Sequence, residues 1–217
     1  MNFELARHNM IEQQIRTWEV LDQNVLDRIA DLHREDFMPA EYRRLALADI
    51  NIPIGHGQLS LSPKLEARLL QTLMLTGTEE VLEVGTGCGY LTALLARSAA
   101  HVVSVDIHAD FSRDTATKLL HAGIENVTLA TGDAIHGWPT AAPYDAIAVT
   151  GSVPVLTGHW QQQLSTGGRL FVIVGESPVM EAWLIRRVGE TEWARESLFE
   201  TDLPALIGAT TASAFEF

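Results

Sequence analysis

The sequence contains almost no cysteine and no long apolar run, and both absences narrow what the protein can be. Its one cysteine, Cys88, has no partner for an intrachain disulfide, and a single cysteine excludes any zinc site made of several cysteines. No stretch reaches the roughly 18 apolar residues that a membrane helix needs, and the first residues carry charges where a signal peptide would be apolar. These features predict a soluble cytoplasmic protein with no membrane partner.

Basic residues are scarce as well. The chain has 15 Lys and Arg against 28 Asp and Glu, which gives a formal net charge of -13 at pH 7. No local cluster of Lys and Arg offsets this charge, so the surface would repel a phosphate backbone. The composition therefore predicts no nucleic-acid partner.

The 217 residues and their 47% hydrophobic content are enough for one buried core, and we expect a single domain over residues 1–217. Its expected parts are a helical lead-in with a loop over 1–78, a core over 79–175 and C-terminal strands over 176–217. In the lead-in, apolar residues recur at helical spacing over residues 22–32, and Asp22 is placed to cap that helix.

The core alternates short apolar runs with stretches of helix-compatible composition. This alternation predicts an α/β fold, in which a mostly parallel sheet is covered by helices on both faces. Two later segments, residues 183–188 and 196–199, could form an antiparallel hairpin at one edge. The five core strands are expected at 81–84, 102–105, 127–130, 146–149 and 170–174.

A glycine-rich turn follows the first core strand and precedes an apolar helix. It reads Gly85-Thr86-Gly87-Cys88-Gly89, and small residues at such a turn let a ligand approach the backbone beside the amides of the next helix. A tight turn without a ligand is the alternative. Tyr90 stands where a dinucleotide fingerprint has its last glycine, which disfavours a pyrophosphate cofactor.

Acidic residues end the next two strands. Asp106 comes about 20 residues after the glycine turn, where a carboxylate can accept hydrogen bonds from two ribose hydroxyls; it could instead only cap a helix. Asp133 follows the third strand, so it would lie on the same carboxyl edge of the sheet as Gly85 and Asp106. Ligands of open α/β sheets bind along that edge.

From Met10 to about Pro204 the chain resembles the class I methyltransferases that use S-adenosylmethionine (SAM), and specifically the protein-L-isoaspartate O-methyltransferase family. The order and spacing of the similar segments make the resemblance specific. These segments are Gln14-Ile15-Arg16, residues 34–39, 52–58 and 81–92, Gly132-Asp133, residues 143–147 and 167–170.

The resemblance implies a Rossmann-like sheet of seven strands with the last one antiparallel, an N-terminal helical extension, and SAM lying over the glycine turn. It also implies that SAM's ribose is on Asp106 and its adenine near Asp133 and Ala134, with Tyr90 and Ile107 either flanking the adenine or simply in the core. The predicted cofactor-binding residues are Glu83, Gly85, Thr86, Gly87, Gly89, Asp106, Ile107, Asp133 and Ala134.

The catalytic loop departs from the family. There the loop continues Thr-Ile-Ser-x-Pro, and its serine is held to be the active-site residue. Here Leu59, Ser60, Leu61 and Ser62 precede Pro63, so leucine replaces that serine. Ser60 or Ser62 could supply the hydroxyl from a neighbouring position, although Ser62 could equally be a helix cap.

His56 in the same loop is a third catalytic candidate. An acceptor that is a neutral hydroxyl or amine would need a base, and His56 could provide it, or it could be a solvated surface histidine. A carboxylate acceptor with a pKa near ~4 is already deprotonated at neutral pH, so its methylation needs no base.

The leading hypothesis is therefore methyl transfer from SAM to L-isoaspartyl residues of damaged proteins, as in protein repair, by a monomer acting on protein or peptide. The alternatives are a diverged paralogue with another acceptor, a SAM-binding protein without catalysis, and a nucleotide-dependent oxidoreductase that Tyr90 disfavours. No metal is expected, because no His/Asp/Glu group shows a recognised ligand spacing and sulfonium displacement needs no Lewis acid.

Overall fold

The computed structural model describes residues 2–209, which form six α-helices, a two-stranded hairpin and a seven-stranded sheet. None of the helices within these residues is both long and apolar enough to cross a membrane. The helices are α1 (Phe3–Met10), α2 (Gln23–Asp31), α3 (Pro63–Leu73), α4 (Tyr90–Ala96), α5 (Ala109–His121) and α6 (His159–Gln162). The strands are β1 (Pro53–Gly55), β2 (Gln58–Leu59), β3 (Glu80–Val84), β4 (His101–Asp106), β5 (Val127–Thr131), β6 (Tyr144–Val153), β7 (Leu164–Glu176), β8 (Val179–Arg187) and β9 (Trp193–Thr201).

The large sheet has the order β5-β4-β3-β6-β7-β8-β9. All pairs from β5 to β7 are parallel, β8 is antiparallel to β7, and β9 is antiparallel to β8. The predicted mostly parallel sheet with an edge hairpin is confirmed. The implied direction of the last strand needs a correction: β8 is the reversed strand, and β9, which pairs with it, returns to the direction of β7.

Alternating residues of the central strands feed two separate cores. Val81 and Val102 belong to one buried cluster, whereas their neighbours Leu82 and Val103 belong to the other. Because successive side chains of a strand point to opposite faces, the two clusters lie on the two faces of the sheet. The first face carries α1 to α5, and the second carries α6, whose Trp160 is buried in that cluster.

The helical lead-in is confirmed. The Asp22 carboxylate accepts a hydrogen bond of 2.8 Å from the Asn24 amide at the start of α2, as a helix cap does. On α2, Val25, Leu26 and Ile29 are buried. The lead-in packs against α3, where the Gln71 side-chain oxygen accepts from two lead-in amides.

The segment expected as a loop around residue 55 forms the hairpin β1–β2. Its two turn residues, His56 and Gly57, have φ angles of 52° and 71°. Positive φ at both central residues is what a two-residue hairpin turn of type I′ requires, which explains the short connection. The hairpin holds Gln58 and Leu59 beside the carboxyl edge of the large sheet.

Candidate active site

An open cleft lies over the carboxyl ends of the central strands, where the chain order reverses between β3 and β6. It encloses about 750 Å³, part of which is open to solvent. This is the point at which open α/β sheets bind ligands. Of the nine predicted cofactor-binding residues, six line the cleft: Gly85, Gly87, Asp106, Ile107, Asp133 and Ala134.

The glycine turn forms the floor of the cleft. Gly85 has a φ of 95°, and a Cβ added there would lie 2.2 Å from the Thr150 hydroxyl oxygen. That hydroxyl donates to the carbonyl groups of Val84 and Gly85 at 2.9 Å. Any side chain at Gly85 would therefore collide with the support of the turn, so a glycine is needed for both its backbone angle and its size.

Asp106 stands at the end of β4 and faces the cleft. One carboxylate oxygen accepts from the Gly87 amide and the other from the His108 amide, both at 2.9 Å. These bonds fix the carboxylate against the glycine turn. Each oxygen has further lone-pair capacity, so the group can still accept hydrogen bonds from a ligand with two adjacent hydroxyls.

The far wall of the cleft follows β5. Asp133 accepts a 2.9 Å bond from the Ile135 amide, which orders the turn, and the Ala134 carbonyl accepts 3.0 Å from the indole of Trp160. Ile107, which also lines the cleft, keeps 44% of its surface exposed. An exposed isoleucine, a small alanine and a carboxylate on one cleft lining suit a flat heterocycle with a polar edge.

The other three predicted cofactor residues do not line the cleft but support it from below. Glu83 is fully buried, and its Oε2 accepts from the hydroxyls of Thr92 at 2.5 Å and Ser104 at 2.6 Å. The Ser104 hydroxyl also pairs with that of Thr86 at 2.6 Å. Gly89, with a φ of 85°, begins α4 against Thr115.

Glu83 has an unusual electrostatic environment. Burial raises its pKa to about 8, although the two hydroxyl donors partly oppose that shift. At neutral pH the group is therefore mostly protonated. A neutral carboxylic acid beneath the turn can connect Thr92, Ser104 and Thr86 without placing a buried charge under the cleft.

Tyr90 is a core residue. Its ring is 1% exposed, meets Phe37 edge-on at 5.6 Å between centroids, and lies under the Arg34 guanidinium. Burial raises the pKa of its hydroxyl. Of the two alternatives left open by the sequence, a flank for the adenine or the core, the structure supports the core for Tyr90 and the cleft for Ile107.

The loop that carries both predicted catalytic serines, Ser60 and Ser62, is organised around a buried arginine. Arg34 forms an ion pair with Glu66 at 2.8 Å, donates to the Leu61 carbonyl at 2.6 Å, and also contacts the Ala46 carbonyl. The Ser60 hydroxyl oxygen accepts from Arg34 at 3.3 Å and from the Ile52 amide at 3.1 Å. Since Ser60 is buried and does not line the cleft, the geometry gives it a structural role and does not support the predicted catalytic one.

Leu61 and Ser62 are also turned away from the cleft. Both are buried, and Ser62 occupies the cap position of α3 ahead of Pro63, but its hydroxyl makes no capping hydrogen bond. Leu59, by contrast, is 39% exposed and lines the cleft next to Gln58. The loop therefore presents a leucine and an amide to the cleft and none of its serine hydroxyls.

His56, the third predicted catalytic residue, lies outside the cleft lining and contacts Asp110. Its Nε2 is 2.7 Å from the Asp110 carboxylate, and its ring stacks on His108 at 4.0 Å between centroids. Its hydrogen bond holds the β1–β2 turn against the start of α5. With Nε2 committed to Asp110 and the residue outside the cleft lining, the geometry does not support a role as catalytic base.

Sequence reasoning assigned no residue to one wall of the cleft, the segment 203–207, although residues 201–204 loosely resemble a substrate-lining stretch of the family. It crosses the cleft mouth beside Ser152, which donates from its amide to the Pro204 carbonyl at 3.0 Å and from its hydroxyl to the Leu203 carbonyl at 2.8 Å. The Leu206 amide donates back to the Ser152 carbonyl at 2.9 Å. The sequence signal was slight: an apolar run with one proline after the last strand.

Comparisons with known proteins point to one family. The family model described as protein-L-isoaspartate(D-aspartate) O-methyltransferase matches residues 5–201. A protein-L-isoaspartate O-methyltransferase of Rhodopseudomonas palustris is 37% identical over 201 residues, which cover 92% of each chain. One of Myxococcus xanthus is 42% identical over 156 residues, covering 72% of this chain and 74% of that one.

Solved structures give the same result for the fold. A protein-L-isoaspartate O-methyltransferase structure has a TM-score of 0.79 at 26% identity and covers 94% of this chain and 67% of its own. A Plasmodium falciparum protein in complex with S-adenosyl-L-homocysteine (SAH) has a TM-score of 0.75 at 18% identity, covering 95% of this chain and 98% of its own. At 18% identity, the likeness to the Plasmodium falciparum structure shows only a shared fold.

Proposed function

This chain belongs to the protein-L-isoaspartate O-methyltransferase family, and from that membership we propose that it methylates the free carboxylate of L-isoaspartyl residues in damaged proteins. SAM is the methyl donor of the family, and it supplies an electrophilic methyl group on a sulfonium. The observation that carries the proposal is the match of the family model over residues 5–201, and it is supported by a cleft that six of the nine predicted cofactor-binding residues line.

The residues of the cofactor side fit SAM. Gly85 and Gly87 let the donor lie against the backbone, and Asp106 accepts hydrogen bonds from its ribose hydroxyls. Asp133 and Ala134 receive the adenine against Ile107. Three observations support these roles: all six residues line one cleft, a Cβ at Gly85 would collide with Thr150, and the Asp106 carboxylate is oriented by two backbone amides.

The acceptor side explains why no base is needed. An isoaspartyl residue continues the backbone through its side-chain carbonyl and leaves a carboxylate free, and that group is ionised at neutral pH. The protein then has only to align the carboxylate with the methyl group and exclude water, which can lower the barrier by several kcal/mol, on the order of 7–11 at best. Leu59 and the segment 203–207 provide apolar walls for this purpose.

A second candidate function is methylation of a different acceptor. Leu59 and Leu61 favour it, because they stand where the family has threonine and serine, and the remaining loop hydroxyls do not line the cleft. A cleft wall with fewer hydroxyl donors suits a less polar acceptor. The two candidates share the fold and the cofactor and differ only in what enters between Leu59 and residues 203–207.

The proposal extends to protein repair, a monomeric state and a location in the cytoplasm. The single cysteine, which is buried, suits a reducing compartment. Size-exclusion chromatography with light scattering tests the monomer: we expect a mass near 23.8 kDa. A mass near twice that value would contradict it.

A pair of peptides separates the two candidate functions. Purified protein is incubated with radiolabelled SAM and peptides that differ only in an L-isoaspartyl or an aspartyl residue, and base-labile methyl esters are counted. We expect label on the isoaspartyl peptide alone. SAH binding by calorimetry without any labelling would reject the isoaspartyl acceptor and leave the second candidate.

A further inference from the structure

Two histidines and an aspartate meet at the outer lip of the cleft, where the hairpin β1–β2 reaches the start of α5. His56, His108 and Asp110 each offer one ligand atom, and these atoms lie within 4.8 Å of one another. Among residues 2–209 this is the one group of three or more His, Cys, Asp and Glu with such spacing. In contrast to the expectation from the sequence, we infer that His56, His108 and Asp110 form a binding site for a divalent transition metal of the zinc type.

The donor set decides the kind of metal. Imidazole nitrogens suit zinc, nickel, copper and iron, whereas magnesium and calcium prefer sites made only of oxygen ligands. Two imidazoles and one carboxylate leave a fourth position open to water or a ligand, as in zinc sites with three protein ligands. The negative net charge of the chain also favours the approach of cations.

The surroundings of the cluster resemble those of a metal site. The Phe111 ring packs nearly perpendicular to both imidazoles, at 5.3 Å from His56 and 5.4 Å from His108 between centroids. Within residues 2–209 the Nε2 atom of His108 is buried and has no hydrogen-bond partner. An apolar wall and a ring nitrogen without a hydrogen-bond partner both favour a metal ion that binds nitrogen ligands.

Binding requires one small movement. The two rings are nearly parallel, with 9° between their planes, so their in-plane lone pairs do not converge. His56 and Asp110 have side chains that are 42% and 41% exposed, so the His56 ring can rotate out of the stack without disturbing the core. Because this rotation gives up the stacking contact, we expect an affinity below that of a preformed structural zinc site.

The site would join two walls of the cleft. His108 and Phe111 line the cleft next to Asp106, and Gln58 and Leu59 of the hairpin also line it. A metal held by His56 on the hairpin and by His108 and Asp110 on the other wall would cross-link them. We therefore expect slower release of SAH when zinc is bound, a consequence that rests on the proposed cofactor site.

Calorimetric titration of the untagged full chain with ZnCl₂ tests the site. We expect one saturable site in the wild type, and a loss of affinity of at least about tenfold in His108→Gln and in Asp110→Asn, the size of effect that even an indirect ligand partner has. Cobalt titration adds a spectroscopic readout, because the weak visible d–d bands of aqueous Co²⁺ shift and intensify when nitrogen ligands replace water in a four-coordinate site. His159→Gln is the matched control: His159 also lies beside a second histidine, His136, at 4.8 Å between ring centroids, but this pair is not part of the cluster with Asp110.

Two results would overturn the inference. One is the absence of saturable zinc binding to the wild type at millimolar metal. The other is affinity that is unchanged in His108→Gln and Asp110→Asn, or lowered equally in His159→Gln. Neither readout depends on methyl transfer, so failure of the proposed function would leave the zinc result interpretable. Unchanged SAH release with zinc bound would contradict the cross-link.

Discussion

The two sides of the cleft are built in different ways. On the cofactor side, Asp106 ends a parallel strand and Gly85 and Asp133 follow one within two residues, so the sheet itself brings them together. On the acceptor side, Ser60 and Leu61, which directly follow Leu59, are held by the distant Arg34, and the segment 203–207 is held by the distant Ser152. The first side is thus specified by local sequence and the second by long-range contacts, and the second is where this chain departs from its family.

The largest expected effect is a loss of stability when the buried Arg34 is replaced. In Arg34→Met the Glu66 carboxylate loses its ion-pair partner inside the core, so we expect the free energy of unfolding to fall by about 3–5 kcal/mol. Urea denaturation measures this change. The double variant Arg34→Met/Glu66→Leu is the control, and it should recover much of the loss, because it leaves no unpaired carboxylate at position 66. A loss below about 1 kcal/mol in the single variant would show that Arg34 does not organise the acceptor loop.

On the cofactor side, removal of one carboxylate should abolish most of the binding without loosening the acceptor loop. Two hydrogen bonds to a charged group contribute about 3 kcal/mol together, so Asp106→Ala should weaken SAH binding about a hundredfold. Calorimetry with SAH measures the affinity. Asp114→Ala, at an exposed position on α5, serves as the control. Equal affinities in wild type and Asp106→Ala would place the ribose elsewhere.

The buried acid beneath the glycine turn should make stability depend on pH. The folded-state pKa of Glu83, about 8, lies above the ordinary value of 4.5, so its contribution is complete below pH 4.5 and is lost as the pH rises to about 8. From this group alone, the free energy of unfolding falls by about 1.4 kcal/mol per pH unit in that window. Glu83→Gln should remove this slope in denaturation curves at pH 5 to 8. A wild-type slope that persists in the variant would assign it to other groups.

The smallest effect is expected at the segment 203–207. Ser152→Ala removes the hydroxyl bond to the Leu203 carbonyl, which contributes about 1 kcal/mol. A less firmly held acceptor wall should raise KM for the isoaspartyl peptide about fivefold and leave kcat and SAH affinity unchanged. Steady-state kinetics separates these constants. A fall in kcat with constant KM would instead give Ser152 a part in the reaction itself.

The same difference explains how much the sequence could predict. The strand positions, the glycine turn, Asp106 and Asp133 were predictable from local sequence. A run of apolar residues followed by a small or acidic residue indicates a parallel strand that ends at a ligand site. The direction of the Ser60 side chain was not, because it depends on Arg34, 26 residues earlier in the chain. The contact of His56 with Asp110 spans 54 residues, and the bond of Ser152 to Leu203 spans 51. No local pattern encodes such pairs.

The role of the loop hydroxyls is the central question, and one rate constant answers it directly. The measurement is kcat for an isoaspartyl peptide in the wild type and in Ser60→Ala/Ser62→Ala, at a temperature well below both unfolding midpoints. Because neither hydroxyl reaches the cleft, we expect kcat to stay within about twofold, with only stability reduced, by about 1–2 kcal/mol. A fall in kcat of about a hundredfold or more in the folded variant, the range of an acid–base or hydrogen-bonding catalytic group, would contradict this account and return a serine to the reaction.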